Sequence, residues 1–236
     1  NKGIAVDVHR FKEFKQDEKI KDLLRQSKAM GCFYVESPAM RMLLSKLCCD
    51  DYLTLVAASS IIRPGVASSG MMREYIVRFH KVRNGDTYDS IHPKMNELMR
   101  DTYGVMVYQE DVIKVAHHFA GITLTEADVL RRGMSGKYRS REEFQRVRDR
   151  FFEECYKKGY AQHVIDRVWL EIESFSGYSF AKGHSASYAV ESYQSLFLKA
   201  HYPLEFMVGV INNFGGFYRT EFYFHEARMN GARINP

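Results

Sequence analysis

The sequence is poor in the residues that build covalent or metal frameworks. Four cysteines in 236 residues (Cys32, Cys48, Cys49, Cys155) are too few for a disulfide scaffold, and the adjacent Cys48 and Cys49 cannot easily bridge each other. A reducing, cytoplasmic setting is therefore expected. No C-x-x-C or H-E-x-x-H occurs, and the vicinal His117 and His118 would point about 100° apart on a helix, so no structural metal site is expected. The longest stretch without Asp, Glu, Lys or Arg runs from Phe206 to Tyr218, contains Asn and Gly, and falls short of the roughly 18 apolar residues of a membrane span. A soluble protein is predicted. Neither an initiator Met nor an apolar signal region opens the chain at Asn1-Lys2-Gly3, and Asn235-Pro236 adds no closing element, so the sequence reads as a piece of something longer.

Apolar residues make up 45% of the chain and aromatics 14%, enough for a packed core, which excludes disorder. Period-two alternation is scarce and the apolar spacing is helical nearly throughout, so the predicted fold is mainly α and multi-helical, with few or no strands. After a linker-like stretch rich in Lys and Glu, Ser37 and Pro38 predict an N-cap and first turn, with Met40, Leu43, Leu44 and Leu47 on one face. A second helix is expected over Tyr52 to Ile62, stopped by Arg63-Pro64-Gly65, with others around Met71 to Phe79 and Pro93 to Met99. Val112, Val115, Ala116 and Phe119 form a stripe that ends at Gly121, a residue suited to a left-handed C-cap. Thr125 with Asp128 predicts one helix start, and Ser140 with Glu143 a capping box for a helix running to Gly159. Val164, Val168, Ile172 and Phe175 mark the next. A long helix is predicted from Ser185 to His201, buried through Ala189, Val190, Tyr193, Leu196, Phe197 and Ala200, and Pro203 starts one more.

The net charge is +5, and residues 131–150 alone carry an equal excess, with eight basic residues against three acidic. A basic stretch of Lys137, Arg139, Arg141, Arg146, Arg148 and Arg150 suits a polyanion, although a solvated helix face explains such a cluster too. Within it, Arg131 and Arg132 are neighbouring guanidiniums that repel unless an anion holds them, and Gly133, Ser135 and Gly136 permit close backbone approach. Their planar forks suit phosphate oxygens. A second constellation runs from Gly177 to Tyr188: a Gly-flanked turn delivers Lys182 and His184 to a helix N-terminus, where Tyr178 and Tyr188 offer flat faces for a base. Arg63 stands on a rigid turn. No Asp-x-Asp on a strand and no Ser-His-Asp or Cys-His arrangement is present, so the chain has phosphate grips without an evident reaction centre.

The stretches Gly31 to Arg41, Arg63 to Gly65, Tyr103 to Glu110, Glu126 to Arg132, Phe180 to Tyr188, Ser192 to Gln194 and Leu198 to Pro203 together resemble the fingers region of the bacterial DNA polymerase III alpha subunit, the C-family replicative polymerase. Their order and spacing match over about residues 30 to 207. The resemblance implies a DNA-directed DNA polymerase that adds deoxynucleotides to a primer, with Mg²⁺ held by palm aspartates absent from this stretch, so that the fragment alone would be inactive. It implies that Arg131 and Arg132 clamp the incoming triphosphate, with Arg63 contributing, and that Lys182 to Tyr188 line the nucleotide pocket. The family usually reads Arg-Arg-Ala-Met-Gly-Lys-Lys where this chain has Arg131-Arg-Gly-Met-Ser-Gly-Lys137, and Asn-Lys-Ser-His where it has Ala181-Lys-Gly-His184. Residues 1–30 would then be a linker from the palm, 31–205 the fingers, and 206–236 the start of a helix-hairpin-helix region. Expected partners are primer-template DNA, deoxynucleoside triphosphates and replicase subunits such as the sliding clamp, with no membrane. The competing expectation is a non-catalytic helical module that binds nucleic acid or an acidic protein through residues 131–150.

Overall fold

The computed structural model describes residue 3 and residues 5–62, 69–134, 140–174 and 180–234. Every regular element among them is helical, in agreement with the mainly α expectation. The chain forms two compact units, Asn1–Ser59 with Ser185–Pro236, and Ser60–His184.

The first unit contains α1 (Phe11–Phe14), α2 (Glu18–Arg25), α3 (Pro38–Leu47), most of α4 (Tyr52–Ile61), most of α11 (Lys182–His201), α12 (Pro203–Asn212) and α13 (Thr220–Met229). The stretch expected to be linker-like thus carries two helices. Asp17 caps the second, accepting from the amides of Lys19 and Ile20, and also meets His201 Nε2 at 2.6 Å. Ser37 caps α3 as predicted, with its hydroxyl accepting from the Met40 amide, and Met40, Leu43, Leu44 and Leu47 are all buried. Phe14 stacks on Phe197, and Phe11, Tyr52 and Tyr193 meet edge to face. Val190, Phe197 and Ala200, expected in the core, are only half-buried, whereas Lys199 is buried. Its ammonium donates to the Met30 carbonyl at 2.6 Å and to Glu226 Oε1 at 2.7 Å, so a paired charge occupies a place that the apolar pattern did not mark.

The second unit contains α5 (Met71–Arg83), α6 (Pro93–Leu98), α7 (Gln109–Lys114) continued by a π turn (Val115–Ala120), α8 (Leu124–Met134), α9 (Arg141–Lys157) and α10 (Gln162–Glu173). Gly121 closes the π turn with φ of +100°, the left-handed cap predicted there. Thr123, not Thr125, caps α8. Its hydroxyl accepts from the Glu126 amide, while the Glu126 carboxylate accepts from the Thr123 amide at 2.9 Å, which makes a complete Thr-x-x-Glu box. At α9, Ser140 accepts from the Glu143 amide, but it donates to Glu142 rather than joining a reciprocal pair with the Glu143 side chain. Phe175 lies outside the described residues, as does the Arg63-Pro64-Gly65 stop.

Candidate functional site

The first turn of α7 organises the second unit's cationic residues. Tyr108 precedes the helix in extended conformation, and Asp111 accepts from the amides of Val107 and Tyr108 at 2.9 Å each, fixing the direction in which Gln109 and Glu110 leave. Burial pushes the Asp111 carboxyl up, against the pull of those two amides. The Gln109 amide donates to the Phe180 carbonyl at 3.2 Å, and the Glu110 carboxylate accepts from the Lys182 amide at 3.0 and 3.2 Å. A helix start has amides without intrahelical partners, so Glu110 acts as a remote cap, and α11 begins at Lys182 rather than at the expected Ser185.

Gln109 also reaches α8. Arg131 Nη1 donates to Gln109 Oε1 at 3.3 Å, while Arg131 Nε donates to Asp128 Oδ1 at 2.9 Å. The other oxygen of Asp128 lies 2.9 Å from Arg132 Nε, yet that nitrogen is buried without a properly directed hydrogen bond, so the contact is an ion pair only. One carboxylate therefore holds two guanidiniums, leaving a net positive charge at the turn. Immediately after them, the Phe144 ring covers Gly133 so closely that a Cβ there would overlap it.

Lys182 extends its ammonium to 3.6 Å from Asp101 Oδ2 and to 5.4 Å from the centre of the Tyr108 ring. With Arg100, Asp101, Tyr108 and Lys114 it lines a cavity of about 250 Å³. His184 packs edge-on against Phe180 at 4.4 Å. The fold thus joins the two constellations singled out in the sequence: Arg131 and the start of α11 are tied to adjacent residues, Gln109 and Glu110. From sequence, Gln109 and Glu110 at this helix start fit a buried entry into the Val112 helix at least as well as a contact role, and the structure gives both side chains contacts.

Tyr188 belongs to the first unit, where its ring meets Phe33 at 5.3 Å and Tyr34 at 4.8 Å. Arg63, Tyr178, Lys137 and Arg139 lie outside the described residues. Along α9, Arg141, Arg146 and Arg150 share a face with Glu142, Asp149, Glu153, Glu154 and Lys157, so the local charge is mixed. Arg150 pairs with Glu126 at 3.3 Å, and Arg148 turns onto the Trp169 ring at 5.5 Å. Among the described residues no three His, Cys, Asp or Glu side chains could hold a metal ion, and no helix is long and apolar enough to cross a membrane.

Residues 1–159 match the family model described as the bacterial DNA polymerase III alpha subunit finger domain. Proteins called DNA polymerase III subunit alpha are similar over most of the chain. That of Aquifex aeolicus is 36% identical over 202 residues, covering 86% of this chain, and that of Escherichia coli K12 is 38% identical over 198 residues, covering 83%. The Staphylococcus aureus Mu50 protein is 33% identical over 235 residues, or 99% of the chain. The chain spans 17% of the length of the first two and 21% of the third.

Proposed function

The chain belongs to the bacterial DNA polymerase III alpha subunit finger-domain family, and from that membership we propose that it receives the triphosphate of an incoming deoxynucleotide, beside primer-template DNA, within a longer cytoplasmic DNA-directed DNA polymerase. The observation that carries this reading is the double tie at α7: Gln109 holds Arg131, and Glu110 holds the backbone of Lys182. Two guanidiniums and an ammonium on connected helix ends supply fixed positive charge. Such charge stabilises a transition state in which negative charge builds on the leaving pyrophosphate.

Asp128 keeps the guanidiniums oriented before the nucleotide arrives, and phosphate oxygens then satisfy the Arg132 Nε donor that lacks a hydrogen bond. Lys182 exchanges the exposed Asp101 for phosphate, and His184 adds a second donor from the first turn of the same helix. Mg²⁺ held by carboxylates elsewhere in the longer polymerase would share the charge of the same phosphates. Sliding-clamp and replicase contacts likewise belong to the whole protein.

The test is photo-crosslinking of the full-length polymerase with an azido-deoxynucleotide on primed DNA. Label in peptides containing Gln109–Lys114, Leu124–Met134 or Lys182–His184 is expected. Label confined to peptides outside Ser60–His184 would contradict the proposal.

A further inference from the structure

α7 passes into the π turn Val115–Ala120 without a break, since Lys114 and Val115 both keep helical backbone angles. The pattern of burial explains the change of pitch. Asp111 and Val112, Val115 and Ala116, and Phe119 and Ala120 are buried as pairs four residues apart. An α-helix turns about 100° per residue, so on an unbroken α-helix Ala120 would overshoot Val112 by about 80°. A π turn, with its i→i+5 bonds, holds more residues per turn and takes up the excess. Both ends of the element therefore bury the same face.

The far end is fastened from outside. Lys158, which follows α9, donates from its ammonium to the Phe119 carbonyl at 2.7 Å, and the Tyr160 hydroxyl donates to the same oxygen at 3.3 Å. The Phe119 and Tyr160 rings stack with centres 4.4 Å apart. His117 Nδ1 donates to the Ile122 carbonyl at 2.8 Å, and the amides of Gly121 and Ile122 both donate to the Ala116 carbonyl. Gly121 leaves room for the lysine, since a Cβ there would stand 3.0 Å from the ammonium nitrogen. Helix ends leave carbonyls without partners, so a lysine directed at one of them, beside a glycine that clears its path, fixes this end in place.

The near end carries the two ties. With the Phe119 end fixed, the number of residues per turn between it and Gln109 decides which way Gln109 and Glu110 point, and those side chains hold Arg131 and the Lys182 amide. We infer that the π turn sets the register of α7 for nucleotide addition, with Lys158 as the positioning residue that keeps it there. The inference rests on the reading of Arg131 and Lys182 as triphosphate ligands and adds to it a residue that acts through the backbone of Phe119.

The test compares variants of the full-length polymerase by single-nucleotide incorporation and by hydrogen exchange. Lys158→Met is expected to lower kcat by on the order of tenfold, as displacing fixed charge by about an ångström would, and Lys158→Arg should recover most of that loss. Tyr160→Phe keeps the stacked ring and removes the second donor; it should act in the same direction more weakly, and it serves where Lys158→Met does not fold. On a background without the two ties, Gln109→Ala with Glu110→Gln, Lys158→Met should add less than about twofold. Losses that multiply on that background would overturn the inference, because the lysine would then support the fold alone. Exchange in Lys158→Met should also quicken about tenfold in peptides containing Gln109 and Lys182. Faster exchange confined to the peptide around Phe119 would equally overturn it. Unchanged kinetics in Arg131→Ala would instead overturn the nucleotide reading, and the exchange result alone would then decide the register.

Discussion

The Phe144 ring on α9 lies over the bare Cα of Gly133 on α8, one residue beyond the arginine pair, and a methyl group there would overlap it. α9 is therefore seated on the turn that carries Arg131 and Arg132. Gly133→Ala is expected to destabilise the chain by about 1 to 3 kcal/mol through overpacking, despite the better helix propensity of alanine. On a Phe144→Ala background the same change should be neutral or mildly stabilising. Thermal denaturation of the four chains of this cycle checks it, and additive effects would contradict the contact.

How much of this was legible in the sequence depends on the distance over which each contact acts. Ser37-Pro38 and Gly121 were readable because a cap needs only its own helix. The start of α8 was misread for a physical reason: Thr123-x-x-Glu126 and Thr125-x-x-Asp128 both fit a capping pattern, but Asp128 serves the two arginines instead. The start of α11 was placed three residues late because its cap, Glu110, lies 72 residues away in the chain. The basic stretch was counted correctly, yet counting signs cannot show that Arg148 lies on Trp169 or that Arg150 faces Glu126. Arg131 and Lys182 stand out by residue type and Gln109 by its place at a helix start, but the bond between Gln109 and Arg131 spans 22 residues and follows from no local pattern.

Glu171 gives the second unit a pH dependence. Burial above all, reinforced by Glu74 and opposed by Arg167 and Arg78, pushes its carboxyl up to about 7 from 4.5, and its Oε2 has no hydrogen-bond partner among the described residues. The folded state therefore keeps a proton that the unfolded state has released. The stability contributed by this group is fully present below 4.5 and is lost as pH rises through about 7. Relative to Glu171→Gln, the parent chain should lose up to roughly 1.4 kcal/mol per pH unit in that window. Parallel urea-melt stabilities of the two chains from pH 4.5 to 7 would contradict this.

The buried Lys199–Glu226 pair ties α11 to α13 within the first unit. Lys199→Met should cost about 3 to 5 kcal/mol because it leaves the Glu226 carboxylate buried without its cation. Lys199→Met with Glu226→Leu should recover most of that loss, since two apolar side chains leave no charge stranded. Chemical denaturation of the single and double variants decides it, and equal losses in both would show that the pair matters for packing alone.

The account stands most directly on single-nucleotide incorporation by the full-length polymerase, comparing Arg131→Ala with Arg146→Ala on the exposed face of α9. Arg131→Ala is expected to lower kcat/KM for the deoxynucleotide by on the order of 10² to 10³-fold, with Arg146→Ala close to the parent enzyme. Kinetics unchanged by Arg131→Ala, or equal losses in the two variants, would contradict the assignment of the α8 arginines to the triphosphate.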